Sequence, residues 1–268
     1  MQNYPVETIY EWLDKGAEVI ARDRQIPYIE GLAEAGEAFF TGSADRGLSE
    51  EAEQKVKDLI GRARFSECSH ESIRKAFQLA ILKGQKDIPH PNRQMTPDTI
   101  GLFIGYLVNK FMERKKGLTL FDPAVGTGNL LLAVLNQLAE EAGKAFGSEI
   151  DDVLIKLAYV QANLQEKEIE LFNQDSLQPI FMEHADAVIC DLPVGYYPDD
   201  ESARAFELKA DEGHSFSHHS FISCYGKNGV LNHLFQQILL NFHRSIFFNI
   251  FKIRIFIWLY SLYLKVGV

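Results

Sequence analysis

Four acidic residues stand at the ends of four short apolar runs in the middle of the chain. The runs are LTLFDPA, KAFGSEI, IELFNQD and DAVICDLP, and their acids are Asp122, Glu149, Asp175 and Asp191. Carboxylates are good hydrogen-bond acceptors for paired hydroxyls and for amines. One such acid is ordinary turn chemistry, whereas four in succession indicate a ligand site.

The first acid opens a glycine-containing turn, FDPAVGTG, that runs into a leucine-rich segment. Gly126 and Gly128 permit a tight turn and close backbone approach, and the N-terminus of the following helix faces the ligand. A nicotinamide dinucleotide fits poorly, because Leu131 replaces the third glycine of its fingerprint and Asp122 would meet the pyrophosphate. The turn therefore favours an adenosyl ligand with a cationic tail and no phosphate, which describes S-adenosylmethionine.

Strands that alternate with helices must position these acids. The four apolar runs predict strands, and helices are predicted at about 128–142 and 151–165 between the first three. Such repeats form right-handed crossovers in a parallel sheet, and ligands bind outside the carboxyl ends of its strands. We therefore predict an α/β fold with the acids along one edge. Taken singly, Glu149 and Asp175 have the alternative of a helix N-cap or a turn residue.

Residues 1–87 predict a helical domain of about four helices. Ile9, Leu13 and Ile20 recur near one helical face, and Ser49 is placed to cap a helix that begins with glutamates. A bundle of this kind is ordinarily a packing unit or binds a protein partner.

Three prolines between positions 89 and 97 end the helical pattern. Helices do not pass through such a stretch, so we predict a domain boundary near Asp87. Thr96 is predicted as the N-cap, and Pro97 as the first residue, of a helix that runs to about Arg114.

The composition restricts the compartment and the partners. A formal net charge of -10 argues against a nucleic-acid-binding surface over the whole chain, although it is compatible with a local basic groove. Cys68, Cys190 and Cys224 show no CxxC spacing, which predicts a reducing, cytoplasmic location without disulfides or a metal site. The N-terminal residues lack the apolar region of a signal peptide.

Five pieces of sequence carry a resemblance between about residues 90 and 220. In order they are RQMTPDTIG, FDPAVGTGNLL, GSEID, NQDSL and DLPVGYY. The set resembles the adenine-specific N6 DNA methyltransferases, and in particular the type I restriction-modification methylation subunits, which also have a helical N-terminal region. The resemblance implies a Rossmann-like class I methyltransferase core over residues 88–219, S-adenosylmethionine as cofactor and DNA as substrate.

The resemblance also implies contacts to the methionine part of the cofactor. Thr96 would contact its carboxylate, and Asp122 would hold its amino group. The backbone of the glycine turn would wrap the methionine moiety. The turn residues concerned are Pro123, Ala124, Gly126 and Gly128.

The adenosine part would be held by the next two strand ends. Glu149 would accept the two ribose hydroxyls, and Ile150 would pack on the adenine. Asp175 would accept from the exocyclic amine of the adenine, with Ser176 beside it.

The piece DLPVGYY resembles the family's catalytic loop, in which an Asn/Asp-Pro-Pro-aromatic sequence grips the target amine of an extruded base. Asp191 and Pro193 match this pattern, whereas Leu192 replaces the first proline and Val194 replaces the aromatic residue. Tyr196, or the tyrosine next to it, follows and could stack on the base. We predict Asp191, Pro193 and Tyr196 as the catalytic residues.

The departures in this loop leave two alternatives open. The chain could be a non-catalytic S-adenosylmethionine-binding or protein-interaction module. It could also be an N-methyltransferase that acts on protein, since similar loops serve protein glutamine methylation and the chain is acidic.

Residues 220–268 form an atypical apolar and basic tail. All 37 acidic residues lie in the first 212 positions, and the last 56 positions carry five basic residues and no acid. A membrane span is not expected, because Lys252 and Arg254 lie inside the apolar stretch and each central charge costs about 2.5–3.5 kcal/mol. We predict a shifted reading frame or another abrupt join, and a sheet whose C-terminal part is incomplete.

Overall fold

The computed structural model describes residues 4–44, 47–87, 95–112, 117–138, 142–176, 178, 180–182, 185–191 and 255–259. Its elements are α1 (Val6–Arg24), α2 (Tyr28–Thr41), α3 (Glu50–Arg62), a 3-10 turn (Phe65–Glu67), α4 (His70–Asp87), α5 (Asp98–Met112), β1 (Leu118–Asp122), α6 (Asn129–Leu138), β2 (Ala142–Glu149), α7 (Asp152–Leu164), β3 (Ile169–Asn173), β4 (Ala187–Asp191) and β5 (Ile255–Leu259). A helical region followed by alternating strands and helices is the predicted order, and it is confirmed.

The first four helices form where the apolar spacing predicts them. Ile9, Leu13 and Ile20 are all buried on one face of α1, because residues three and four apart lie on the same side of a helix. Ser49 caps α3, and its hydroxyl oxygen accepts the N–H of Ala52 at 3.3 Å. Both predictions are confirmed.

The helical region and helix α7 of the α/β part share one hydrophobic cluster. Phe77 of α4 packs in the same cluster as Leu157 and Val160 of α7, and all three are fully buried. Gly36 of α2 permits this approach, since a Cβ atom at that position would overlap Cγ1 of Val160. Helices α1, α2 and α4 therefore pack together with α7.

The start of α5 differs by one residue from its prediction. The carbonyl of Pro97 accepts the N–H groups of Ile100 and Gly101 at 3.0 and 3.2 Å, so Pro97 is the N-cap and the helix begins at Asp98. The prediction of Thr96 as the N-cap is wrong, because its hydroxyl is engaged elsewhere. The predicted end near Arg114 lies outside the described residues.

The sheet has the strand order β3-β2-β1-β4-β5. Strands β1 to β4 run parallel, and β5 pairs antiparallel with β4. The chain proceeds from β1 to β2 and β3 on one side and then returns to β4 on the other side of β1. The boundary between β1 and β4 is therefore a topological switch point, where ligands bind in sheets of this kind.

Of the tail from 220 to 268, the structure describes residues 255–259, which form β5. The origin of the tail stays a prediction. Among the helices that the structure describes, none is both long enough and apolar enough to cross a membrane.

Candidate active site

The four strand-end acids lie along one edge of the sheet, as the strand pattern predicts. Asp122, Glu149 and Asp191 are the last residues of β1, β2 and β4, and Asp175 follows the end of β3 by two residues. Because these strands run parallel, their carboxyl ends meet at the same edge. Asp122 and Asp191 flank the switch point between β1 and β4.

The turn from β1 into α6 depends on its two glycines. Gly126 and Gly128 have φ angles of +54° and +86°, a backbone conformation that side chains with a Cβ rarely adopt. A Cβ on Gly128 would also lie 3.2 Å from Cβ of Ala158, so this residue lets the turn pack closely on α7. The turn is held to the neighbouring strand by the N–H of Val125, which donates to the carbonyl of Ser148 at 2.9 Å.

Asp122 is a buried carboxyl group at the start of this turn. Its side chain is 1% exposed, and it accepts the N–H of Ala124 at 3.1 Å and the thiol of Cys190. Burial raises the pKa of Asp122 to about 8, and the charges of Asp191 and Glu149 act in the same direction. A bound cation would favour the ionised form, so this position suits an ammonium group.

Glu149 joins the glycine turn to the start of α7. One carboxylate oxygen accepts the N–H of Gly126 at 3.0 Å, and the other accepts the N–H of Asp151 at 2.9 Å. Burial raises the pKa of Glu149, although these backbone hydrogen bonds act against the shift. The N-cap of α7 is Asp151, whose side chain accepts from Val153 and Leu154, so the alternative of Glu149 as that cap is wrong.

Asp191 is paired with Thr96, the residue that was predicted to cap α5. The hydroxyl of Thr96 donates to Oδ2 of Asp191 at 2.8 Å, and Thr96 is 8% exposed. Burial raises the pKa of Asp191, and the hydrogen bond from Thr96 lowers it. The structure thus brings a predicted cofactor contact and a predicted catalytic acid together, although they are 95 positions apart in sequence.

The third strand end is tied to the first. The hydroxyl of Ser176 is buried and donates to the carbonyl of Pro123 in the glycine turn. Asp175, directly before it, is partly exposed, and its carbonyl accepts the N–H of Gln178. Ile150 is 66% exposed beside Glu149, so an apolar surface is available there for a ring.

Three polar residues support the site without having been predicted. Gln161 donates to the carbonyl of Thr127 at 2.6 Å and fixes the turn from α7. Asn129 donates to the carbonyl of Thr96 at 2.9 Å and accepts from Arg74 at 2.5 Å. Of these three residues, the sequence pattern indicates only Arg74, because it is a charged residue at the helical spacing of the buried face of α4.

Two of the predicted catalytic residues, Pro193 and Tyr196, lie outside the described residues. The positions at which the loop departs from the family pattern, Leu192 and Val194, lie outside them as well. In the part of the chain that the structure describes, no three His, Cys, Asp or Glu side chains are grouped as metal ligands.

Two family models match the chain. The model of the YtxK N-terminal helical domain matches residues 7–85. The model of the N-6 DNA Methylase matches residues 93–215. The second match contains Thr96, the glycine turn and all four strand-end acids.

Three known proteins are similar to this chain. The uncharacterized protein YtxK of Bacillus subtilis (strain 168) is 60% identical over 249 residues, which cover 88% of this chain and 75% of that protein. A Listeria monocytogenes protein assigned to the class I S-adenosylmethionine-dependent methyltransferases is 42% identical, with a TM-score of 0.75 over 82% of this chain and 68% of that one.

The third is a methyltransferase subunit of a type I restriction-modification system from Streptococcus thermophilus. It is 18% identical, with a TM-score of 0.53 over 84% of this chain and 53% of that one, and it shares the fold. The Bacillus and Listeria relatives are similar over more than two thirds of their length. The chain therefore belongs to the class I S-adenosylmethionine-dependent methyltransferases, and its residues 93–215 match the N-6 DNA Methylase domain.

Proposed function

We propose that this protein methylates the N6 amine of adenine in DNA, with S-adenosylmethionine as the methyl donor. The observation that carries the proposal is a pair of acids, the buried Asp122 and the half-buried Asp191, at the switch point of a chain that matches the N-6 DNA Methylase model. Asp122 is suited to a cationic cofactor, and Asp191 is suited to the amine that receives the methyl group.

The described residues fit the methionine part of the cofactor. Burial and neighbouring carboxylates raise the pKa of Asp122 and so disfavour its ionised form. The positive charge of a bound ammonium would act against this shift and keep the carboxyl group ionised. The positive φ angles at Gly126 and Gly128 shape a turn that approaches a ligand without side chains. Thr96, Pro123 and the backbone of Ala124 complete this part of the proposed site.

The adenosine part fits the next two strand ends. The carboxylate of Glu149 accepts the backbone N–H groups of Gly126, Ile150 and Asp151, and a carboxylate has about four lone-pair sites, so it can still accept a ribose hydroxyl. The exposed side chain of Ile150 can cover one face of the adenine. Asp175 and Ser176 are proposed to bind the exocyclic amine edge.

The bound cofactor supplies an electrophilic methyl group on a sulfonium. Asp191 is proposed to accept one N–H of the target amine through Oδ1, since Oδ2 already accepts the hydroxyl of Thr96. This contact polarises the amine and directs its lone pair towards the methyl group, and orientation of this kind accounts for much of a rate enhancement. By the family resemblance, Pro193 would accept the second N–H and Tyr196 would stack on the base.

The test is transfer of a labelled methyl group from S-adenosylmethionine to DNA. We expect label in N6-methyladenine with the unaltered protein and none with Asp191→Ala. Asp58→Ala is the matched control, because Asp58 is an exposed acid on α3 that accepts from Gln54, far from the site in the fold.

Label transfer, together with a calorimetric titration of the cofactor, distinguishes this proposal from the two alternatives, protein N-methylation and a non-catalytic binding module. Label in protein but not in DNA would assign the enzyme to protein N-methylation. Cofactor binding by calorimetry, without transfer to nucleic acid or protein, would identify a non-catalytic binding module.

A further inference from the structure

A buried arginine from the helical region reaches the methyltransferase site. Arg74 lies on α4 and is 1% exposed. Its Nε and Nη2 atoms donate to the carboxylate of Glu71 at 2.8 and 2.7 Å. Its Nη1 atom donates to Oδ1 of Asp98 at 3.0 Å and to Oδ1 of Asn129 at 2.5 Å. A guanidinium can make such contacts simultaneously because its donors form a planar fork.

Charge balance does not explain the contact to Asn129. Glu71 and Asp98 already supply two carboxylates for the single positive charge of Arg74, and Asn129 is neutral. The hydrogen-bond partners described for Arg74 are Glu71, Asp98 and Asn129, so its connection to Asp191 runs through Asn129.

Asn129 passes the contact on to the site. Because its Oδ1 accepts from Arg74, its amide has one orientation, with Nδ2 directed at the carbonyl of Thr96 at 2.9 Å. The hydroxyl of Thr96 in turn donates to Asp191. Three consecutive hydrogen bonds join the helical region to the acid.

Arg74 also holds the first residue of α5, since Asp98 accepts from both Arg74 and Gln78 of α4. The segment that carries Thr96 is thus fixed from two sides by one guanidinium. Thr96 accepts from Asn129 and lies two residues before Asp98, so its position depends on both contacts.

We propose that Arg74 is a positioning residue that holds Thr96, and through it Asp191, in the geometry needed for cofactor binding and methyl transfer. This inference rests on the proposed function of the same site. It makes the helical region a part of the catalytic machinery.

Three variants test this role. Arg74→Lys keeps the charge next to Glu71 and Asp98 but removes the fork that reaches Asn129. Asn129→Asp still accepts from Arg74 but cannot donate to Thr96. Lys83→Met is the control, because Lys83 is paired with two acids of α1 and lies in the helical region without a contact to the site.

The readouts are amide hydrogen exchange of residues 98–101, calorimetric affinity for S-adenosylmethionine, and methyl transfer. We expect about tenfold faster exchange and about tenfold weaker affinity in Arg74→Lys and Asn129→Asp, the size of one lost hydrogen bond in a charged network. The control should keep the exchange and affinity of the unaltered protein. If Arg74 contributed only its charge, Arg74→Lys would keep the exchange and the affinity of the unaltered protein.

Unaltered exchange and affinity in Arg74→Lys would overturn the proposal. If that variant does not fold, Asn129→Asp decides, and exchange like that of the unaltered protein then overturns it. Should the unaltered protein bind no S-adenosylmethionine, the proposed function fails, while the exchange rates still decide the role of Arg74.

Discussion

The carboxyl group of Asp122 is almost completely buried, and its acceptor contacts are one backbone N–H and one thiol. Glu149 and Asp191 also have pKa values raised by burial. At the scale of residues, the site therefore concentrates carboxylates whose ionised forms the folded protein disfavours. We infer that a bound ammonium group compensates this cost at Asp122, which explains why an acid rather than an amide stands at the end of β1.

We predict that Asp122→Asn raises the melting temperature at pH 8 and removes measurable binding of S-adenosylmethionine. The folded-state pKa of about 8 lies above the ordinary value of an aspartate. The stability that this group contributes is therefore complete below the unfolded pKa and is lost as the pH rises through about 8. Asparagine keeps an acceptor for Ala124 and has no proton to lose.

Thermal melts of both proteins between pH 5 and pH 9 check this prediction. The advantage of Asp122→Asn should grow towards the alkaline end of the range. A lower melting temperature of the variant at every pH would show that the carboxylate stabilises the fold, and would contradict this account of the site.

At the scale of elements, the turn between β1 and α6 is the most constrained part of the site. We predict that Gly128→Ala lowers the free energy of unfolding by about 1–3 kcal/mol, the cost of a residue held in a disfavoured backbone region. Its φ of +86° and the short distance to Ala158 both oppose a Cβ atom. We expect weaker cofactor affinity as well, because the turn must move.

Gly61→Ala is the matched control, measured by the same urea unfolding. Gly61 lies in α3, and a Cβ atom there would have no neighbour within 4 Å. Alanine should stabilise the helix at this position by about 0.4–1 kcal/mol. Equal effects of the two substitutions would show that the turn does not need its glycine.

The elements were predictable from local patterns, and the contacts between them were not. Apolar runs and helical spacing gave β1 to β4 and α1, because burial of one face imposes a period on the sequence. The N-cap of α5 was missed by one residue, since the hydroxyl of Thr96 bonds to Asp191, which is 95 positions away in the sequence. Arg74 was missed for the same reason, because its contact to Asn129 spans 55 positions.

At the scale of the whole molecule, the helical region packs in one hydrophobic cluster with α7, and α7 in turn contacts β2 and β3. We predict that they unfold in a single calorimetric transition. Gly36→Ala should shift that whole transition to lower temperature, because overpacking against Val160 costs about 1–3 kcal/mol. Two separate transitions, with Gly36→Ala moving one of them, would show that the helices form an independent domain.

The most direct test of a cofactor site at the strand ends is a calorimetric titration of S-adenosylmethionine into the unaltered protein, Glu149→Gln and Asp151→Ala. We predict at least about tenfold weaker binding for Glu149→Gln, since charged hydrogen bonds contribute about 1.5–3 kcal/mol each and 1.4 kcal/mol is one decade. Its melting temperature should change little. Glutamine loses one backbone hydrogen bond, which lowers stability, but it also removes a half-buried charge, which offsets that loss.

Asp151→Ala removes the cap of α7, which costs about 0.5–2 kcal/mol of stability, and leaves the carboxylate of Glu149 in place. Its affinity for the cofactor should therefore match that of the unaltered protein, while its melting temperature falls. Unchanged affinity in Glu149→Gln together with a clearly lower melting temperature would contradict the account, because Glu149 would then support the fold and not the cofactor.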